Sequence, residues 1–350
     1  MKLNKLFYIS LLALSFFFIQ PAPSAAAETA KAPAPLYRDP MFDGAADPVV
    51  VWNRAEKSWW MLYTARRANV DAPDVAYCYG CDIGVASSND HGRTWVYRGS
   101  LDLNIEPGRN TFWAPDVVYF KGTYHLFVAY IQGARIHWGG VKRLAHYTSK
   151  NLWDWKFDDF IKIDSASVID ASLMQMPDGK WHIWYKDESR GSVTMTAESD
   201  DLFTWKVHDK PAIDGRGHEG PKAFRFQGSY WMLTDEWQGM RVYHSDDAQT
   251  WTRQGLILDK PSKRPEDTPS GAHGDVIVVK DREGKGEKAY IFYFTHPGRS
   301  SHLQGQLDEN GVLPYTFRRS SIQAEELKLE NGTLTCDRDA DFDFYLPDQE

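Results

Sequence analysis

Along this chain apolar residues recur with a period of two, or run almost unbroken for several positions, and polar turns punctuate them. That is the pattern of strands buried on one or both faces, and no 3.6-residue stripe marks an amphipathic helix. The strands fall into a repeated phrase. An acidic residue leads a short apolar strand, an aromatic-rich strand follows, then a third, then a fourth that carries Trp. The first unit reads DPVVVW (Asp47–Trp52), SWWMLYTA (Ser58–Ala65), IGVASS (Ile83–Ser88) and TWVYRG (Thr94–Gly99). The second reads DVVYF (Asp116–Phe120), TYHLFVAYI (Thr123–Ile131), RLAHYTS (Arg143–Ser149) and WDWKF (Trp153–Phe157). The third is DASLMQM (Asp170–Met176), KWHIWYKD (Lys180–Asp187), VTMTAES (Val193–Ser199) and FTWKV (Phe203–Val207). The fourth is EGPKAFRF (Glu219–Phe226), SYWMLTDEW (Ser229–Trp237), MRVYHS (Met240–Ser245) and TWTRQG (Thr250–Gly255). A fifth opens with DVIVV (Asp275–Val279) and KAYIFYFTH (Lys288–His296), and Ser320–Cys336 supplies two strands to complete it.

Pro-Asp-Gly at 177–179 and Lys-Gly at 121–122 stand between the first and second strands of their units, where tight hairpins are expected. The unit leaders lie roughly 50–70 residues apart, room for four strands each, which is the signature of a β-propeller. The expected fold is all-β: one five-bladed β-propeller with a central axial pocket, spanning residues 36–350. A multi-strand sandwich is the alternative, and the repeated acid-then-Trp order disfavours it.

Composition adds an export label and removes several partners. Lys2 and Lys5, the apolar stretch Leu6–Ile19 and the small residues Ser24–Ala27 read as a signal peptide over residues 1–27, followed by an Ala/Pro-rich linker over 28–35. An exported protein, periplasmic or extracellular, is expected. The apolar stretch is short for a membrane span of about 20 residues. A net charge of −8 leaves no electrostatic footprint for nucleic acid or an anionic membrane surface. Three cysteines are too few for a disulfide scaffold; Cys78 and Cys81 could pair or bind metal, with two buried thiols the plainer reading. Aromatic residues make up 14% of the chain, 14 of them Trp, which suits a site that stacks on flat apolar faces.

Inner propeller strands start at one face of the central channel, so Asp47, Asp116, Asp170, Glu219 and Asp275 are expected to converge there. Five carboxylates around one pocket repel one another, and their presence without a role would destabilise the fold. Their contexts differ, which argues for divided roles.

Asp47-Pro48, Trp113-Ala114-Pro115-Asp116, Ile169-Asp170-Ala171-Ser172-Leu173 and Glu219-Gly220-Pro221, in that order, resemble family 43 glycoside hydrolases and their five-bladed relatives. The resemblance runs from about Asp39 to Arg299, with Ala171 standing where the family usually has Pro. It implies a glycosidase acting on oligosaccharide or polysaccharide, with Asp47 as general base, Glu219 as general acid and Asp170 orienting that acid and raising its pKa. Inversion needs such a base and acid about 6.5–9.5 Å apart. Trp113 and Asp116 are the expected substrate contacts. His218 could tune the acid or cap a strand, and Arg299 could bond a sugar hydroxyl or sit at the surface. No cofactor is required. The resemblance also implies a structural calcium in the channel near His273, against a hydrogen-bonded core histidine. The substrates expected are plant or algal polysaccharide fragments.

Three other readings compete. Ser88–Trp95 fits the SxDxGxTW hairpin motif of sialidases, with an echo at Ser245–Trp251, but no arginine triad with a Tyr nucleophile is recognisable. A phosphorylase would want a basic cluster for phosphate. A non-catalytic carbohydrate-binding propeller has no use for a matched base and acid.

Overall fold

The computed structural model describes residues 31–300 and 306–349. The expected signal peptide and the first residues of the linker lie outside them. Five four-stranded antiparallel sheets surround a central channel. Blade one holds β1 (Ala45–Asn53), β2 (Ser58–Ala65), β3 (Ile83–Ser88) and β4 (Val96–Ser100). Blade two holds β5 (Thr111–Phe120), β6 (Thr123–Ile131), β7 (Arg143–Ser149) and β8 (Lys156–Phe160). Blade three holds β9 (Val168–Gln175), β10 (Trp181–Asp187), β11 (Val193–Ser199) and β12 (Lys206–Val207). Blade four holds β13 (Glu219–Phe226), β14 (Ser229–Asp235), β15 (Met240–Ser245) and β16 (Thr252–Ile257). Blade five holds β17 (Ala272–Lys280), β18 (Glu287–Thr295), β19 (Ser321–Glu330) and β20 (Thr333–Thr335). Among the described residues the only α-helix is the single turn Tyr315–Arg318. The five-bladed all-β architecture read from the repeat is what the chain adopts.

The inner strands β1, β5, β9, β13 and β17 pack side by side in that order and close on β1. Second and third strands are buried almost throughout, which is why their boundaries were so legible. Apolar clusters lie between neighbouring blades; one holds Trp60, Leu62 and Ile83 of blade one with Phe112, Leu126 and Val128 of blade two.

The fourth strands differ from expectation in register. Their Trp residues sit in the turn before the strand instead of within it. In blade one Ser88 Oγ donates to Asp90 and accepts from the Gly92 N–H, while Trp95 Nε1 donates to the Gly92 carbonyl. The same corner recurs with Ser149, Asn151 and Trp155, with Ser199, Asp201 and Trp205, and with Ser245 and Asp247. Four of the five blades carry it, so the sialidase-like motif at Ser88–Trp95 is a hairpin device of this fold.

Both ends of the described chain cross the seam between blades five and one. Near the start, the Leu36 and Tyr37 N–H groups donate to Ile322 of β19. Near the end, Phe342, Phe344 and Leu346 join Trp52, Trp59 and Tyr63 in one cluster, and the Leu346 N–H donates to the His91 carbonyl of blade one.

Candidate active site

Every inner strand carries a one-residue bulge at the same place. Ala46 pairs with Thr64 and Val49 with Leu62, so three steps on β1 face two on β2. The same offset separates Trp113 from Asp116, Ile169 from Ser172, Glu219 from Lys222 and Ala272 from Asp275. A bulge re-aims the side chains around it and bends the strand. Asp47, Ala114, Asp170 and Gly220 take left-handed backbone there, with φ of 48°, 46°, 59° and 55°. At Gly220 the requirement is also steric, because a Cβ would lie 2.5 Å from His273 Cγ.

This register separates the five leading carboxylates into two groups. Asp47 and Asp170 fall on the bulge, Glu219 stands immediately before its own, and all three line one pocket of about 710 Å³. Asp116 and Asp275 fall two or three residues farther along and face the channel beneath. There Lys222 Nζ lies 3.0 Å from Asp116 and 2.6 Å from Asp275. Each of these carboxylates also accepts a backbone N–H from a neighbouring blade, Leu173 for Asp116 and Val50 for Asp275. The structure thus does not bring Asp116 to the pocket; it ties blades together. Burial pushes its carboxyl up against the pull of Lys222.

His218 is also set apart. Its ring is buried between Thr194 Oγ1 at 2.7 Å and the Arg216 carbonyl at 2.8 Å, and burial lowers its pKa. Trp113 lines the pocket and donates from Nε1 to the Cys78 carbonyl. With Tyr79 and the exposed Trp138 it forms an aromatic wall. Arg299 reaches the pocket too, held by the Phe317 carbonyl and the Tyr77 hydroxyl. Cys78 and Cys81 are buried free thiols.

His273 sits between two carboxylates, Nδ1 being 3.7 Å from Asp47 and 4.0 Å from Asp170. Among the described residues no group of three or more His, Cys, Asp or Glu is arranged to hold a metal. The channel carries a cation of its own, the ammonium of Lys222, which balances Asp116 and Asp275. These residues do not fit a calcium ion.

Several pocket residues escaped the sequence reading. Arg66 follows β2 and places one guanidinium nitrogen 3.3 Å from both Asp47 oxygens. Lys186 near the end of β10 donates to Glu219 at 3.0 Å and reaches Glu188 at 3.3 Å, and Lys142 pairs with the same Glu188. Asp235 ends β14 directly opposite Glu219 and accepts the His273 and Trp237 N–H groups. For Arg66, Lys186 and Asp235 the signal was a charged residue at the end of an otherwise apolar second strand.

Electrostatics divide the carboxylates. Burial pushes Asp235 up to about 7, reinforced by the charge of Glu219. Burial likewise lifts Asp170 to about 6, with Glu219 adding to it and His273 opposing. Glu219 departs from expectation: burial raises it, but Lys186 overrides that and holds it below its ordinary value. The sequence weighed the carboxylate neighbour and could not see the lysine.

The comparisons with known proteins bear on the family and the fold. The chain matches the family model described as "Glycosyl hydrolases family 32 N-terminal domain" over residues 111–342. It is 24% identical over 295 residues to the sucrose-6-phosphate hydrolase of Bacillus subtilis (strain 168), covering 75% of this chain and 55% of that protein. A probable sucrose-6-phosphate hydrolase of Psychromonas ingrahamii is 26% identical over 181 residues, 45% of this chain and 33% of that protein. The chain thus spans about half or less of the length of these curated relatives. Among solved structures, a thermostable family-43 glycoside hydrolase superposes with a TM-score of 0.61 at 19% identity, covering 89% of this chain and 98% of that one. A GH43 β-xylosidase/α-arabinofuranosidase from a compost microbial metagenome, in complex with xylotriose and calcium-free, gives 0.61 at 17% identity, covering 87% and 96%. The family 43 likeness read from the motifs therefore holds for the fold. With well over half of its length matched, the chain belongs to the glycosyl hydrolases family 32 N-terminal domain family.

Proposed function

We propose that the protein is an exported glycoside hydrolase that releases a terminal sugar from short saccharides, sucrose-type disaccharides and plant or algal oligosaccharides among them. The observation that carries this reading is the convergence of Asp47, Asp170 and Glu219 from three blades on one pocket, each with a different partner. Arg66 fixes the Asp47 carboxylate, which serves as the base that activates water. Asp170 accepts the Gly220 N–H at 3.0 Å and so orients the segment that carries Glu219. Lys186 holds Glu219 toward its ionised form, while burial holds Asp235 and Asp170 toward their protonated forms. Glu219 protonates the leaving oxygen, and Asp235, paired with it across the sheet, is the neighbouring carboxyl of raised pKa. The reaction proceeds with inversion.

The sucrose-6-phosphate hydrolase relatives support a sucrose-type substrate. Arg66, Lys142 and Lys186 each already face a carboxylate, which favours water over phosphate as the acceptor. The charged, apolar and small-residue segments of residues 1–27 support export. The test is turnover of sucrose, sucrose 6-phosphate, xylobiose, arabinobiose and β-1,3-galactobiose, with NMR of the first product anomer. Retention of configuration would exclude direct displacement by water, and absence of turnover on a wider glycoside panel would remove the hydrolase reading.

A further inference from the structure

Trp237 is bulky, carries a left-handed backbone (φ 61°) and leaves 38% of its surface exposed at the rim of the pocket. Each property is unfavourable for an aromatic residue. Positive φ is a genuine outlier for a bulky side chain, and such strain persists only where the surroundings hold it. Here they do. The Trp237 N–H donates to Asp235 at 2.6 Å, Lys186 Nζ lies 5.6 Å from the ring centroid, and the side chain is within hydrogen-bonding reach of Glu219. The side chain is therefore held beside Glu219 and Lys186, and the backbone N–H that precedes it is fixed by Asp235.

Position decides what the ring is for. A general acid must reach the glycosidic oxygen, so the surface beside it faces the sugar that departs. Trp113 and Trp138 form the other aromatic wall, packed on Tyr79, and carry no contact to Glu219 among the described residues. A pocket of about 710 Å³ also exceeds what a single sugar ring needs, since volumes in that range enclose ligands of drug size. We infer that Trp237 is the stacking platform for the leaving-group sugar, a second subsite that selects disaccharides and longer chains over monosaccharides. The inference rests on the glycosidase reading above. It adds that the ring holding the departing sugar is mechanically tied to the acid that releases it.

Binding to the Glu219→Gln protein, which should hold saccharides without cleaving them, provides the test. Calorimetry compares sucrose with fructose, xylobiose with xylose, and β-1,3-galactobiose with galactose. Trp237→Gly is the decisive variant, because glycine accepts the left-handed backbone and keeps the N–H to Asp235. Its melting temperature is expected to equal or exceed that of the parent. For the pair that binds, Trp237→Gly should weaken the disaccharide roughly tenfold and leave the monosaccharide unchanged, with Trp237→Phe recovering part of the loss. Equal weakening of both sugars, or none of either, would overturn the inference. If no saccharide binds the Glu219→Gln protein while it remains folded, the glycosidase reading itself falls and takes the subsite with it.

Discussion

Replacing Lys222 with methionine keeps the length of the side chain and removes the cation that stands between Asp116 and Asp275. All three side chains are buried or nearly so, and bulk water does not stand in for the missing charge. Removing one partner of a buried pair costs about 3–5 kcal/mol, because the other charge is left uncompensated. Two carboxylates are left here, so the upper part of that range applies. For a large domain, 1 kcal/mol moves the melting temperature by about 2 °C, which predicts a fall of roughly 8–10 °C at pH 8. The pH dependence supplies a second signature. Burial already places the Asp116 carboxyl above its ordinary value, and loss of Lys222 raises it further. An acid whose folded pKa exceeds its unfolded value binds more protons in the folded state, so the folded form gains as pH falls toward the unfolded pKa. The gap between variant and parent should therefore be widest at pH 8 and shrink toward pH 5. Differential scanning calorimetry across that range reads both quantities. Millimolar calcium should raise the melting temperature of Lys222→Met and leave the parent unmoved. A gap below about 1 kcal/mol at pH 8, a gap that widens with acid, or a parent destabilised by chelator would refute the idea that Lys222 takes the cation's place.

Other outcomes follow from the same geometry. Asp47→Asn should lower turnover by roughly 10²–10⁴ while saccharide binding and melting temperature change little, since the change removes charge and almost no volume; activity near that of the parent on a natural disaccharide would contradict the base assignment. Lys186→Met should raise the Glu219 pKa by removing its cation, so the protonated acid persists to higher pH and the alkaline limb of the kcat–pH profile moves upward. A limb that moves downward would place the acid elsewhere. His125 and His146 are buried and hydrogen-bonded to each other at 2.9 Å, and burial lowers them to about 4 and about 3. Their unfolded forms take up protons below about 6.5, so stability should fall as pH drops from there toward 4, and a His125→Phe/His146→Phe double variant should flatten that slope in urea titrations.

The fold was legible because blade geometry writes itself into burial. β2, β3, β6, β7, β11, β13 and β15 begin and end where the alternation of apolar and polar residues placed them. The Trp of each fourth strand misled, since a large apolar residue looks the same in a strand as in a turn whose carbonyl it bonds. Asp47, Asp170 and Glu219 were visible as leaders of apolar strands. Which leaders point into the pocket was not, because a one-residue bulge decides that, and a bulge has no fixed residue at its turning point: Asp47, Ala114, Asp170, Gly220 and His273 occupy it in turn. Asp235 and Lys186 lay beyond reach for another reason. They meet Glu219 only across a sheet and between blades, and nothing within the sequence fixes which strand end faces which.

The two chain segments that cross the seam between blades five and one set an order of events. Asp47, Asp170 and Glu219 are all synthesised before β19, before the Leu36 and Tyr37 backbone can find Ile322, and before Phe342, Phe344 and Leu346 can cover blade one. Without those two segments blades five and one would lose the strand pairing and the apolar cluster that span their seam. The same two segments that close the ring therefore also hold together the cavity that blades one, three and four share.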